Sequence, residues 1–310
     1  MDKLAVSRRS LLLGGASLLL GCQVKREVKA PEPAPVTRIF YDRSATVTIV
    51  SAPIYATSEY LVFHYAAIEE AVKPAIDQGA MVISWGELHK EASDQPSTLE
   101  SFVSHILPTL HDSHYDDGII ETLPSGMAAL RELNEYKRTG VLGPVCSKWI
   151  GRHPNRKAIG GLLQMAKNNQ ANIYGSNCAD FDEYYKKYRE DNEKLGEVIN
   201  ENTRRLILKL IADGKKRIWA YGGAYHNDFT IKEGITIANF GADLHARLGR
   251  DFMQIDLYRK ELLFKFVEEE PDRADLYIDV PDWRSWLPQT GVVRFQYVAG
   301  DNEGREVIIF

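Results

Sequence analysis

Arg217-Ile218-Trp219-Ala220-Tyr221-Gly222-Gly223-Ala224-Tyr225-His226 is the segment from which the fold class can be read. Its first half, Arg217 to Tyr221, is a short apolar run closed by glycines, the pattern of a strand covered on both faces. Immediately upstream stands the longest helical signal in the chain, from about Tyr184 to Ile211, with Leu195, Val198, Ile199, Asn202 and Leu206 on one face and Asp213-Gly214 to end it. A long helix returning the chain to an apolar strand is the crossover that parallel strands need, where antiparallel ones could use a hairpin.

On either side of this segment the same alternation recurs. Thr46 to Val50 and Ala80 to Trp85 read as strands, the second ending in Gly86, and Tyr65 to Ile76 has helical character. Leu99, Phe102, Val103, Ile106 and Leu107 line one helical face that Pro108 is expected to close. Tyr115 to Glu121 is the next strand, with Ser125 as cap for a helix from Met127 to about Tyr136. A short helix at Leu162 to Met165, a strand at Asn172 to Gly175, a helix at Ala242 to Leu248 and a strand at Phe252 to Leu257 continue it. Val292 to Ala299 and Arg305 to Phe310, joined by Gly300-Asp301-Asn302-Glu303-Gly304, read as an antiparallel hairpin. The fold class is therefore α/β: a mixed, largely parallel sheet covered by helices, with a C-terminal β-hairpin.

The N-terminus obeys different rules. Ser7-Arg8-Arg9-Ser10 precedes an apolar run from Leu11 to Leu20, too short to span a bilayer, and then Gly21-Cys22. The arginine pair resembles the twin-arginine address for export in the folded state, and the small residue before Cys22 resembles a lipoprotein cleavage signal. Residues 1–21 then form a signal peptide. Residues 22–40 are a lipidated cysteine, a palmitate-type anchor, with a proline-rich spacer including Ala30-Pro31-Glu32-Pro33-Ala34-Pro35. Residues 41–310 are a single α/β domain. The expected location is a membrane surface on the periplasmic or extracellular side, with the lipid as membrane partner.

A mean hydropathy of -0.30 is that of an ordinary water-soluble domain. The chain carries a net charge of -5, and its leader is basic, so the mature portion is more acidic still. That balance gives no support to nucleic-acid binding. After Cys22, only Cys146 and Cys178 remain, a pair that an oxidising compartment could join but whose count does not establish proximity.

The candidate chemistry sits at strand ends. Gly86-Glu87-Leu88-His89 ends one apolar strand, Gly223-Ala224-Tyr225-His226 ends another, and Glu121 ends the strand between them. In an open α/β sheet the carboxyl ends of neighbouring strands converge on one crevice. Glu87, His89, Glu121 and His226 are thus the candidate catalytic residues and equally the candidate ligands of a divalent metal. Such a metal would lower the pKa of a water for attack on a substrate, whereas a metal-free site would use a glutamate as base and a histidine as acid. Residue types alone leave both open. Tyr225, beside His226, adds phenolate or imidazole ligation of haem, although neighbours on a strand point to opposite faces. His105, His111 and His114 read as surface or loop residues.

These motifs resemble the broad superfamily joining erythromycin-esterase-like proteins, ChaN-like haem-binding lipoproteins, TraB proteins and the Tiki metalloproteases. The resemblance runs from about Ala80 to Leu257 and rests on the two GxxH elements, Glu121, and the Gly241-Ala242-Asp243-Leu244 helix with its Leu248-Gly249-Arg250 turn. It implies an α/β core with Glu87, His89, Glu121 and His226 at the site. The implied functions are metal-assisted hydrolysis of an ester or amide in a small-molecule or peptide substrate or, alternatively, haem binding and uptake. A non-catalytic envelope role is the third reading. Arg189 and Asn202 are the nearest matches to further pocket positions of that superfamily.

Overall fold

The computed structural model describes residues 55–57, 59–89, 97–228, 239–269, 278, 280–300 and 302–310. The leader, Cys22, the spacer and the strand expected at Thr46 to Val50 lie outside the described residues.

Nine strands form one sheet: β1 (Tyr55–Ala56), β2 (Tyr60–Tyr65), β3 (Val82–Glu87), β4 (Asp117–Ile120), β5 (Asn172–Gly175), β6 (Ile218–Gly223), β7 (Phe252–Tyr258), β8 (Val292–Tyr297) and β9 (Arg305–Ile309). Their order is β1-β2-β8-β9-β7-β3-β6-β4-β5. From β9 to β5 every pairing is parallel, while β1, β2 and β8 extend the sheet antiparallel beyond β9. The expected hairpin is therefore β8–β9, built into the main sheet. The central strands β3, β4 and β7 are buried at every position, as strands covered on both faces must be.

The helices, in chain order, are α1 (Ile68–Asp77), α2 (Thr98–Ser101), α3 (Leu107–Asp112), α4 (Gly126–Thr139), α5 (Pro144–Arg152), α6 (Arg156–Asn168), α7 (Phe181–Glu183), α8 (Asn192–Ala212), α9 (Gly241–Leu248) and α10 (Lys260–Glu269). Apolar side chains of α1 to α6 pack on one sheet face against Ile83, Trp85, Trp219 and Tyr221. On the opposite face, α8 and α9 cover Val82, Ile119, Ile218 and Phe252, and Leu263 of α10 packs with Trp283 over β2, β8 and β9. Among the described residues, no helix is long and apolar enough to cross a membrane.

Several local expectations are corrected. Tyr60 to Tyr65 is a strand and the helix starts only at Ile68, because Tyr60, Val62, Phe63 and Tyr65 are buried in the sheet while Ile68, Ala71, Val72, Ala75 and Ile76 make the helical face. Pro108 does not close its helix. It sits in the first turn of α3, directly after a π-helical turn at Phe102–Ile106 whose wider register accommodates the missing N–H. The long signal from Tyr184 divides into a π-helical turn at Tyr184–Tyr188 and α8, which restarts where the Asp191 side chain accepts from the Lys194 N–H. Ser125 occupies the cap position of α4 without a capping bond, its hydroxyl meeting Asn202 Nδ2 instead.

Two buried ion pairs fasten β9 to its neighbours on either side. Arg294 on β8 meets Glu306 on β9 at 2.5 Å, and Arg305 on β9 meets Asp256 on β7 at 2.7 Å. Cys146 and Cys178 are both free and buried. Burial together with Glu132 pushes the Cys146 thiol up to about 12, and burial together with Glu183 does the same for Cys178.

Candidate metal centre

The parallel register sets the site. Glu87 on β3 is level with Gly223 on β6, and Ile120 on β4 is level with Tyr221, so β3, β4 and β6 end together. The chain past each end supplies His89, Glu121 and His226, and one ligand atom from each lies within 4.8 Å of the others. His89 Nε2 is 3.3 Å and His226 Nε2 is 3.7 Å from the same atom, Glu121 Oε1. Two imidazole nitrogens and a carboxylate oxygen facing one point are a donor set suited to a divalent transition-metal ion.

Each ligand is held from behind. His89 Nδ1 is 3.4 Å from Glu87 Oε1, and Glu87 Oε2 accepts from the Tyr221 hydroxyl at 2.6 Å. Glu87 thus orients His89 and stands outside the converging set, the place of a carboxylate that fixes a ligand imidazole. His226 Nδ1 is 3.0 Å from Asn200 Oδ1 on α8, so its Nδ1–H donates there and its Nε2 faces Glu121. The second oxygen of Glu121, Oε2, accepts from the Gly223 N–H at 2.6 Å.

Gly222 and Gly223 are required by this crowding. A Cβ on Gly222 would stand 2.3 Å from Glu121 Oε2, and one on Gly223 would stand 2.8 Å from His89 Nε2 and 3.1 Å from His226 Cδ2. The double glycine that punctuates the strand in the sequence is the floor of the site.

The electrostatics arise from the packing. Burial opposes ionisation of Glu121, yet the two histidines and the Gly223 N–H outweigh it and bring its carboxyl down to about 2. For His89, burial disfavours the charged ring, but Glu121 and Glu87 overcome it and raise its pKa well above the usual imidazole value. Burial lowers that of His226, which keeps the Nε2 lone pair available near neutrality. Burial and the neighbouring Glu87 raise the Tyr221 phenol, which stays a donor. His89 is 47% exposed and His226 13%, so the cluster is reached from the His89 side.

The cluster opens into a cavity of about 350 Å³ bordered by Leu88, Leu195, Gly196, Ile199, Ala224 and Tyr225. Tyr225 and His226 both border it. Strand alternation, which would set neighbours on opposite faces, does not apply to them because residues 224–226 form a turn beyond the end of β6.

Among the other singled-out residues, Asn202 bridges the Ser176 and Asn177 carbonyls and ties α8 to the loop after β5. Arg189 is exposed and stacks on Tyr185. His105 pairs with Glu69, and His111 pairs with Asp116.

Three residues were not singled out in the sequence. Asn200 had a signal, since asparagine is unfavourable inside a helix and a buried one needs a partner. Tyr221 reads only as an apolar strand residue. His153, at the end of α5, accepts the Asn155 N–H on Nδ1 at 3.1 Å, which leaves its proton on Nε2. Burial, with the charge on His89 adding to it, lowers the His153 pKa to about 4.

No family model matches the chain, and no curated protein matches it. Among solved structures it is distantly similar to RRSP, a MARTX toxin effector domain from Vibrio vulnificus CMCP6, with a TM-score of 0.43 and 15% identity over 62% of this chain and 36% of that one. The chain thus spans about a third of the length of that relative. A Bacillus cereus protein gives 0.42 and 12%, covering 67% of this chain and 72% of its own. ChaN of Campylobacter jejuni, solved with cofacial haem, gives 0.36 and 14%, covering 64% and 91%. Likeness at this level carries no argument about activity or ligand.

Proposed function

We propose that this protein is an exported, lipid-anchored metallohydrolase that cleaves an ester or amide bond at the His89–Glu121–His226 cluster. The observation that carries the reading is the convergence of three ligand atoms within 4.8 Å, two of them on imidazoles fixed from behind by Glu87 and Asn200. A divalent ion held there would supply Lewis acidity and a water of lowered pKa. The chain's own residues do the rest. Tyr221 and Glu87 hold the His89 ring, Asn200 fixes the His226 tautomer, and the Gly223 N–H keeps Glu121 turned inward. Water adds to the carbonyl carbon, the bond to the alcohol or amine breaks, and the departing group takes the proton the water loses.

The test is metal per chain after loading with zinc or manganese and desalting, with turnover of an ester and amide panel, for wild type, His89→Ala, His226→Ala and Glu121→Gln. The reading expects one ion per chain in wild type, loss of that ion in each variant, and loss of turnover with it. Equal turnover in all four proteins would overturn it. A Soret band on adding haem, lost in Tyr225→Phe or His226→Ala and seen without metal binding, would replace it with the haem-binding reading.

Export and tethering rest on Ser7-Arg8-Arg9-Ser10, the apolar run and Gly21-Cys22. Cys22→Ser is expected to move the protein from the membrane to the soluble fraction and to remove labelling by a fatty-acid analogue.

A further inference from the structure

The cavity above the cluster is two-sided in character. Its ionisable cluster, Glu87, His89, Glu121 and His226, sits beside Gly223, and the rest of its described wall is Leu88, Leu195, Gly196, Ile199, Ala224 and Tyr225, whose hydroxyl is the one further polar side-chain group there. Among the described residues, neither lysine nor arginine borders it. A sugar or a peptide backbone placed against that wall would lose most of its hydrogen bonds to water without replacement, and, with no divalent ion bound, an anion would meet the carboxylates of Glu87 and Glu121. An aliphatic chain meets neither obstacle and gains the burial.

One wall residue departs from what a helix prefers. Gly196 lies inside α8, where glycine is less favourable than alanine by about 1 kcal/mol. It is buried, and the cavity lies beside it. Gly196 is one helical turn before Asn200, the residue that holds His226, so the turn that leaves space for a ligand also orients the site. Gly196 borders that space with backbone alone, so a side chain placed here is the change that tests whether this residue limits the cavity.

We infer that the cavity binds an uncharged medium-length aliphatic acyl group, with the carbonyl at the Glu/His end, and that Gly196 sets the length of chain admitted. This deepens the hydrolase reading, on which the word substrate rests, by naming its class as neutral aliphatic esters or amides. About 350 Å³ at about 30 Å³ for each water-sized group holds roughly a dozen such groups, which matches an acyl chain of about six to eight carbons with the bond to be cut.

The experiment is calorimetric titration with neutral alkanamides from acetamide to octanamide and with the matching alkanoates. It uses wild type, Gly196→Ala and Gly196→Leu, each with and without zinc. Burying a methylene is worth about a fourfold gain in affinity. Wild-type affinity is expected to rise by roughly that factor per carbon up to about hexanamide, with each alkanoate weaker than its amide in the zinc-free protein. Gly196→Ala should stop the rise earlier and Gly196→Leu earlier still, while both retain wild-type zinc content. Wild-type affinities that do not change with chain length, or alkanoates binding as tightly as the amides in the zinc-free protein, would overturn the inference. Should Gly196→Leu fail to fold, the wild-type series and Gly196→Ala decide the matter. A rising series in a protein without turnover would sink the hydrolase reading and leave the acyl cavity standing; turnover with a flat series would do the reverse.

Discussion

Two residues outside the ligand set show how single side chains tune the site. Asn200 fixes the His226 tautomer through one bond of 3.0 Å. Asn200→Ala is expected to weaken zinc binding by about 10- to 100-fold, and Asn200→Asp, which keeps an acceptor there, to restore most of it, both measured by competition with a chromophoric chelator. His153 is the second. Its pKa is about 4 in the folded protein against 6.5 unfolded, so between those values the unfolded chain binds more protons and stability falls as pH falls through that window. Ring-proton NMR should show His153 neutral at pH 5, and His153→Gln should be less acid-sensitive than wild type between pH 6.5 and 4 in urea unfolding. Four site residues, Glu87, His89, Glu121 and His226, were legible because strand-end placement is a property of sequence order. Tyr221 was not, and Asn200 only as an asparagine inside a helix, because their roles depend on which helix and strand faces meet, and a single sequence does not display that.

Among the secondary-structure elements, the ends of β3, β4 and β6 hold the cluster only because β6 finishes in two glycines. Gly223→Ala places a methyl 2.8 Å from His89 Nε2, so it should abolish metal binding while changing the urea midpoint little, since the crowding falls on groups beyond the strand. A shifted midpoint with metal retained would mean that the ligands had stayed and the backbone of β6 had given way. The seam between β8 and β9 obeys a different rule. Glu306→Ala leaves the Arg294 guanidinium buried without its 2.5 Å partner and is expected to cost about 3 to 5 kcal/mol in chemical denaturation. Element type was legible where the periodicity was long, as in α8 and β7. It failed at the start of α1, where Tyr65 was expected in the helix but ends β2, and at Pro108, where a π-helical turn supplied what the rule for prolines leaves out.

For the protein in its entirety, a metal bound at the cluster would act as a ligand of the folded state alone. Zinc at a thousandfold excess over its Kd would add about 4 kcal/mol, raising Tm by roughly 8 to 16 °C in a domain of this size. Chelation should reverse that shift in wild type and change nothing in His89→Ala, as followed by scanning calorimetry. The global architecture, a mixed sheet under helices, was legible from the alternation of periods, but the strand order was not, because it depends on pairings between residues far apart in sequence. That order also matters in time. β9 follows the other described strands of the sheet in sequence, yet it lies inside the sheet, paired to β7 on one side and β8 on the other. Until residues 305–309 leave the ribosome, β1, β2 and β8 have no bridge to the parallel strands that carry the cluster, and β7 presents a bare edge. A nascent chain halted before that point would display an open template for β-pairing with its neighbours, so the hazard for this fold falls during its making, and the β9 segment is what ends it.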